Sequence, residues 1–143
     1  MQRLATIAIL CAVLLTMKQV GWTMEREDAA MHIRINGSSF PVTLEDNATA
    51  RAFAAMLPIT LDMEDLHGNE KYHNLKQSLP SAPKAVGSVA AGDVMLFGEN
   101  CIVIFYKSFS TPYSYTRIGR MNDAGSLEHV CGSGNITATC SKE

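Results

Sequence analysis

Basic residues are not in excess in this chain. Twelve Lys and Arg stand against fourteen Asp and Glu, for a net charge of −2 and a pI near 6.1. A nucleic-acid footprint needs clustered Lys and Arg, so no nucleic-acid partner is expected. The charges fall singly or in short mixed groups such as Glu25-Arg26-Glu27-Asp28, the pattern of a solvated surface. There is no Gly-x-Ser-x-Gly elbow, no Gly-rich phosphate loop and no Cys in a recognisably electropositive setting. Those gaps argue against the common nucleophilic and phosphate-handling enzymes. Low complexity is absent beyond the short loop Ser81 to Ser88. What is present is apolar residue content of 47%, ample for one packed core in 143 residues, close to a single domain's length.

Part of that apolar content sits at the N-terminus. Met-Gln-Arg is followed by an almost wholly apolar run from Leu4 to Leu15, and Lys18 ends it. A basic residue followed by about a dozen apolar ones is the layout of an export signal. A membrane-spanning helix needs roughly 20. Residues 1–24 are therefore read as a signal peptide or, since no small-x-small triplet marks a cleavage site, an N-terminal anchor. Leu10, not a small residue, precedes Cys11, which argues against lipid attachment there. The expected location is periplasmic or extracellular, with membrane contact only through an uncleaved segment. Export would place Cys101, Cys131 and Cys140 in an oxidising compartment. An odd number allows one internal disulfide and leaves one thiol. Cys131 with Cys140 is the pair expected, across a short glycine-containing loop; Cys101 borders an apolar run and reads as a small buried hydrophobe.

Residues 30–143 read as one β-rich domain. His32-Ile33-Arg34-Ile35 alternates, Asn36-Gly37 follows, and Phe40, Val42 and Leu44 occupy every second position. Two alternating runs joined by Asn-Gly predict a hairpin. Pro41 predicts an edge or bulge for its strand. Asp46 or Asn47 can cap a helix from Ala48 to about Leu57, with Pro58 at its end. Strands are expected over Ile59–Glu64, Glu70–Leu75, Val94–Phe97, Tyr113–Arg120 and Ile136–Cys140. Ile102 to Tyr106 is too apolar to alternate and predicts a strand covered on both faces. Leu79 to Gly87 and Ser108 to Pro112 read as loops, and Asp123 to Val130 as a short capped helix. About eight strands with two helices are too few helices for β-α-β units. A largely antiparallel sheet of that size hides its edges by closing. The expected fold is mainly β, a closed eight-stranded barrel with two short capping helices. Asn-x-Ser/Thr sequons stand at Asn36, Asn47 and Asn135 and matter only in a eukaryotic secretory pathway.

From Ile33 onward the chain resembles the bacterial cyclophilin-like fold family. The resemblance is carried by Thr43 to Ala50, Gly68-Asn69-Glu70-Lys71-Tyr72, Ala91 to Phe97 and Tyr115-Thr116-Arg117-Ile118-Gly119-Arg120. It implies a closed eight-stranded barrel capped by helices. True cyclophilins are prolyl isomerases, in which an Arg weakens amide resonance over a hydrophobic proline pocket; the barrier lowered is roughly 18–20 kcal/mol. Where their Phe-His-Arg type motif would fall, this chain reads Lys71-Tyr72-His73-Asn74, without Arg. The strand matching their Gln-Phe-Phe type motif reads Ile102 to Tyr106, without Gln. Isomerase activity would have to use a substitute such as Arg117.

Two constellations stand out. Glu64, Asp65, His67, Glu70 and His73 crowd together, and imidazole and carboxylate are metal ligands. Gly68-Asn69 breaks any helix that would align them, so the reading adopted is a polar turn, with no metal or cofactor expected. The second is Tyr72, Phe105, Tyr113 and Tyr115 with Glu70, Lys71 and Arg117. Aromatic walls with a few polar groups suit a peptide or small ligand; the competing reading makes Phe105 core and the tyrosines strand packing with wet hydroxyls. The leading expectation is a binding module. The alternatives are an isomerase with a non-standard active site, or another enzyme using Glu70, Lys71 and His73 as acid–base groups.

Overall fold

The computed structural model describes residues 30–142. The expectations for residues 1–24 and for Cys11 lie outside them. The strands are β1 (Ala30–Ile35), β2 (Ser38–Leu44), β3 (Ile59–Leu66), β4 (Glu70–Asn74), β5 (Lys84–Ala85), β6 (Ser88–Val89), β7 (Asp93–Phe97), β8 (Cys101–Phe105), β9 (Phe109–Ser110), β10 (Ser114–Met121) and β11 (Ile136–Ser141). The helices are α1 (Ala48–Ala54) and α2 (Leu127–Cys131).

Eight strands form one antiparallel ring in the order β2-β1-β11-β3-β4-β8-β7-β10, and β10 returns to β2 through Gly119↔Leu44, Arg120↔Thr43 and Met121↔Val42. Closure removes the edges that an open sheet would expose. The ring is the barrel the alternating runs predict. The β1–β2 hairpin turns on Asn36 (φ 47°) and Gly37 (φ 81°), the pair of left-handed residues that a two-residue turn with the right twist demands.

Inward-facing residues fill the barrel: Ile33 and Ile35 from β1, Phe40 and Val42 from β2, Leu61 and Met63 from β3, Ile102 and Ile104 from β8. The helices complete the interior with Phe53 from α1, and Leu127 and Cys131 from α2. Asn47 starts α1: its Oδ1 accepts the Ala50 amide at 2.8 Å, and its Nδ2 donates to the Arg117 carbonyl at 2.8 Å.

A second, smaller apolar layer lies on the outside of the wall. Met95, Val103, Phe105 and Tyr115 point outward from β7, β8 and β10, and Val86, Val89 and Phe109 cover them. This explains why β8 is apolar at every position: its two faces meet two different cores.

Five expectations need correction. Pro41 is not on an edge strand, since β2 pairs on both sides; the β10 ladder begins at Val42, one residue past the ring, and the Pro41 carbonyl accepts the Asn122 amide at 2.9 Å. Both helices are shorter than predicted, and the Leu79–Gly87 and Ser108–Pro112 loops each hold a two-residue strand, β5 and β9. Cys131 and Cys140 are free and buried. Cys140 lies four residues of extended backbone past Ile136, roughly 13 Å along β11, whereas Cys131 ends α2, so the loop between them does not bring the two together as a hairpin would. Lys71 is not on the surface but fully buried. Among the described residues no helix is long and apolar enough to cross a membrane.

Candidate ligand groove on the barrel wall

Alternation along β4 sorts its side chains to opposite sides of the wall. Glu70, Tyr72 and Asn74 face outward. Their partners on β8 are Phe105, Val103 and Cys101, and β7 continues the rows with Met95 opposite Val103 and Phe97 opposite Cys101. β10 adds Tyr115, and Tyr113 precedes it. Where these rows leave the covering segments, they border a groove of about 570 Å³. Val103 and Cys101 lie in its base, with Tyr72 on the β4 side and Phe97, Tyr113 and Tyr115 on the other; Glu70, His67 and Asn100 supply polar groups.

The rings are not stacked in one plane. Phe97 meets Tyr113 at 6.1 Å with planes 76° apart and Tyr115 at 5.6 Å with planes 52° apart. Phe105 lies beneath, fully buried, with its ring 5.4 Å from Tyr115 and near-perpendicular. Phe105 therefore positions Tyr115 and is not itself part of the groove surface.

The polar groups are tuned by burial. Burial raises the Glu70 carboxyl above its ordinary value; the His67 side chain opposes that shift and the Asp65 charge adds to it. Burial, with the Glu70 charge, pushes the Cys101 thiol up to about 11. The Tyr72 hydroxyl donates to Glu64 Oε2 at 2.6 Å, and that bond raises the phenol's pKa. The Tyr115 phenol is raised chiefly by burial.

Four of the seven ligand candidates read from the sequence thus meet here: Glu70, Tyr72, Tyr113 and Tyr115. Lys71 and Arg117 do not. Lys71, one residue out of phase with its neighbours, points into the end of the barrel and is fully buried. Its ammonium donates to Asp65 Oδ1 at 2.9 Å, to the Gly132 carbonyl at 2.9 Å and to the Gly134 carbonyl at 2.6 Å, and lies 5.0 Å from the Tyr106 ring centroid. Tyr106 also donates to Asp65 Oδ1, at 2.6 Å. Burial opposes the Asp65 charge, but hydrogen bonds from Tyr106, Lys71 and the Gly68 amide outweigh it and hold the carboxyl below its ordinary range.

Arg117 shares a row with Tyr72, Val103 and Met95, yet Met95 is completely buried under the covering layer, which separates the two ends of the row. The guanidinium lies instead 3.8 Å from Asp93 Oδ2, where Arg120 Nε also reaches Asp93 Oδ1 at 3.0 Å. It lines a neighbouring cavity of about 420 Å³ between the start of α1 and the Pro80–Val86 segment; Tyr115 is common to both hollows. Of the metal-like set, His67 and Glu70 line the groove while His73 Nδ1 sits 2.8 Å from the Asp62 carbonyl, outside it. Among the described residues no three His, Cys, Asp or Glu side chains are grouped to hold a metal ion.

Phe97, Leu66, Cys101 and Asn100 were not anticipated as groove residues. Phe97 was legible in part: it ends an apolar strand before Gly98, at the outward phase set by Met95.

A closed eight-stranded antiparallel barrel with two short helices and an aromatic groove outside its wall defines a small β-barrel of the cyclophilin type. The chain matches the Cyclophilin-like family over residues 33–141, and belongs to it. Among solved structures it is similar to the hypothetical protein AF2241 from Archaeoglobus fulgidus, at 22% identity and a TM-score of 0.56, over 84% of this chain and 99% of that one. It is also similar to McbB, solved in complex with tryptophan, at 14% identity and a TM-score of 0.56, over 78% of this chain and 44% of McbB. At these identities the likeness concerns the fold. No curated protein matches the chain.

Proposed function

We propose that this protein is an exported binding module, a cyclophilin-like barrel that holds a peptide or small molecule in the groove over β4, β8, β7 and β10 without chemical turnover. One observation carries the reading. The large hydrophobic side chains exposed among the described residues are Leu66 (37%), Phe97 (46%) and Tyr113 (60%), and all three line this one groove. Exposed apolar side chains scattered singly need no explanation, but a set gathered on one concave surface marks a place where something docks. Export is supported by the layout of residues 1–24.

The absence of turnover is argued from Arg117. Prolyl isomerisation of the cyclophilin kind needs a guanidinium at the prolyl nitrogen. The side chain that could substitute faces Asp93, across the covered Met95 from the groove. The test is an amide NMR titration of the ¹⁵N-labelled domain with short prolyl peptides and small aromatic compounds, beside a prolyl-peptide isomerisation assay. Saturable shifts gathered on Tyr72, Cys101, Phe97 and Tyr115 without acceleration are expected. Shifts confined to other faces of the barrel would remove the groove assignment. Acceleration that Arg117→Ala abolishes would reverse the non-catalytic part.

A further inference from the structure

We propose that the occupant of the groove carries an organic cation, an alkylated ammonium seated among Tyr72, Phe97, Tyr113 and Tyr115 beside Glu70. This rests on the reading of the groove as a binding site and adds the chemical class of its ligand.

The walls come first. An aromatic ring carries a negative face, and a cation over that face is attracted by it. Rings set at steep angles to one another close on a rounded cation from several sides, and the Phe97 ring stands 76° from Tyr113 and 52° from Tyr115. Tyr72 faces them across the base, and its hydroxyl donates to the Glu64 carboxylate, which makes that ring richer in electrons.

The charge balance comes second, and it is independent of the walls. The side chains lining the groove include no Lys and no Arg. The acidic one among them is Glu70, half-buried; among the described residues no side-chain hydrogen bond or close ion pair holds its carboxylate, and the neighbouring His67 acts on it through charge alone. It stands opposite Phe105 in the β4–β8 ladder and shares the groove lining with Cys101 and Tyr115. A carboxylate partly withdrawn from water without a hydrogen-bonded partner is costly. A cationic ligand supplies the partner. An anionic ligand would be repelled, and a neutral prolyl ring gains nothing from the charge.

The experiment compares choline with 3,3-dimethyl-1-butanol, its uncharged isostere, by amide NMR titration of the labelled domain, wild type and Glu70→Gln. Choline is expected to shift Tyr72, Cys101 and Tyr115 saturably and to bind roughly tenfold more tightly than the alcohol. Glu70→Gln, with an otherwise unchanged spectrum, is expected to lose most of that preference. Equal binding of the two compounds in the groove overturns the cation and leaves the groove standing as a binding site. Choline that shifts nothing in the groove, where a prolyl or aromatic probe does, overturns it too. Failure of every probe in the groove removes both readings together.

Discussion

Replacing Lys71 with Met should destabilise the domain far more than an ordinary surface lysine would, while leaving the groove able to bind. Methionine keeps most of the length and removes the charge. In the folded chain the ammonium is fully buried and satisfies three acceptors, Asp65 Oδ1 and the carbonyls of Gly132 and Gly134. Removing one member of a buried ion pair costs about 3–5 kcal/mol, because the other charge is left uncompensated. The low end applies here. Asp65 is 21% exposed and keeps the Tyr106 hydroxyl and the Gly68 amide, and Gly132 and Gly134 lie at the surface where water can reach them. For a domain of about 110 residues the unfolding entropy is roughly 0.23 kcal/mol per kelvin, so about 3 kcal/mol lowers Tm by about 13 °C. Circular dichroism melts and urea midpoints measure this directly. A fall of less than about 4 °C would mean that the pair contributes under about 1 kcal/mol, and that Lys71 does not pin the β3–β4 hairpin to the α2–β11 loop. A groove ligand that binds wild type should bind the folded variant equally well, since Lys71 lies on the other side of the wall.

Asp65 makes the same network visible in pH. Its folded carboxyl titrates below its ordinary 3.8, so its contribution is fully present above that pH and is lost as pH falls through the folded value. Urea midpoints should therefore drop on acidification below about pH 4, and less steeply in Lys71→Met; midpoints with equal acid slopes in the two proteins would count against it. Gly119→Ala should cost about 1–3 kcal/mol, because an added Cβ would lie 2.7 Å from the Thr43 carbonyl and 2.9 Å from Val42 Cγ1, where β10 closes on β2; a urea midpoint matching wild type would show that the closure has slack. Cys101, with its thiol pushed up to about 11, should react slowly with iodoacetamide near neutral pH although it is partly exposed. Mass spectrometry reads the labelling, and modification as fast as a free cysteine's would contradict that environment.

The barrel was legible because its strands obey local rules that tertiary context did not override. Asn36-Gly37 fixes a turn by the two left-handed residues it needs. Leu61 and Met63 alternate with Thr60, Asp62 and Glu64, and the apolar pair is the one buried. The continuous run Ile102 to Tyr106 reads as a strand covered on both faces; every residue of it is buried, although the strand itself ends at Phe105. What escaped were features set by events far away in the chain. Two-residue strands such as β5 and β9 carry no period of their own. The tolerance of Pro41 in a doubly paired strand depends on where the β10 ladder begins.

The groove was half legible, and the reason is phase. Residues two apart on a strand share a face, so Glu70, Tyr72, Tyr113 and Tyr115 could be grouped from the sequence. The same rule puts Lys71 on the opposite side, but its charge argued for the surface. A buried ammonium becomes acceptable only when three acceptors converge on it, and two of those come from Gly132 and Gly134, more than sixty residues away. Arg117 failed for a different reason: its phase is right, but a bulge at Ile118 shifts the ladder and the covering layer over Met95 closes the row between it and Tyr72. Face membership on a strand is thus a local property. Access to a common hollow is not, because it depends on which neighbours stay uncovered. That difference separates the four tyrosine and glutamate positions that meet on this wall from the two basic residues that do not.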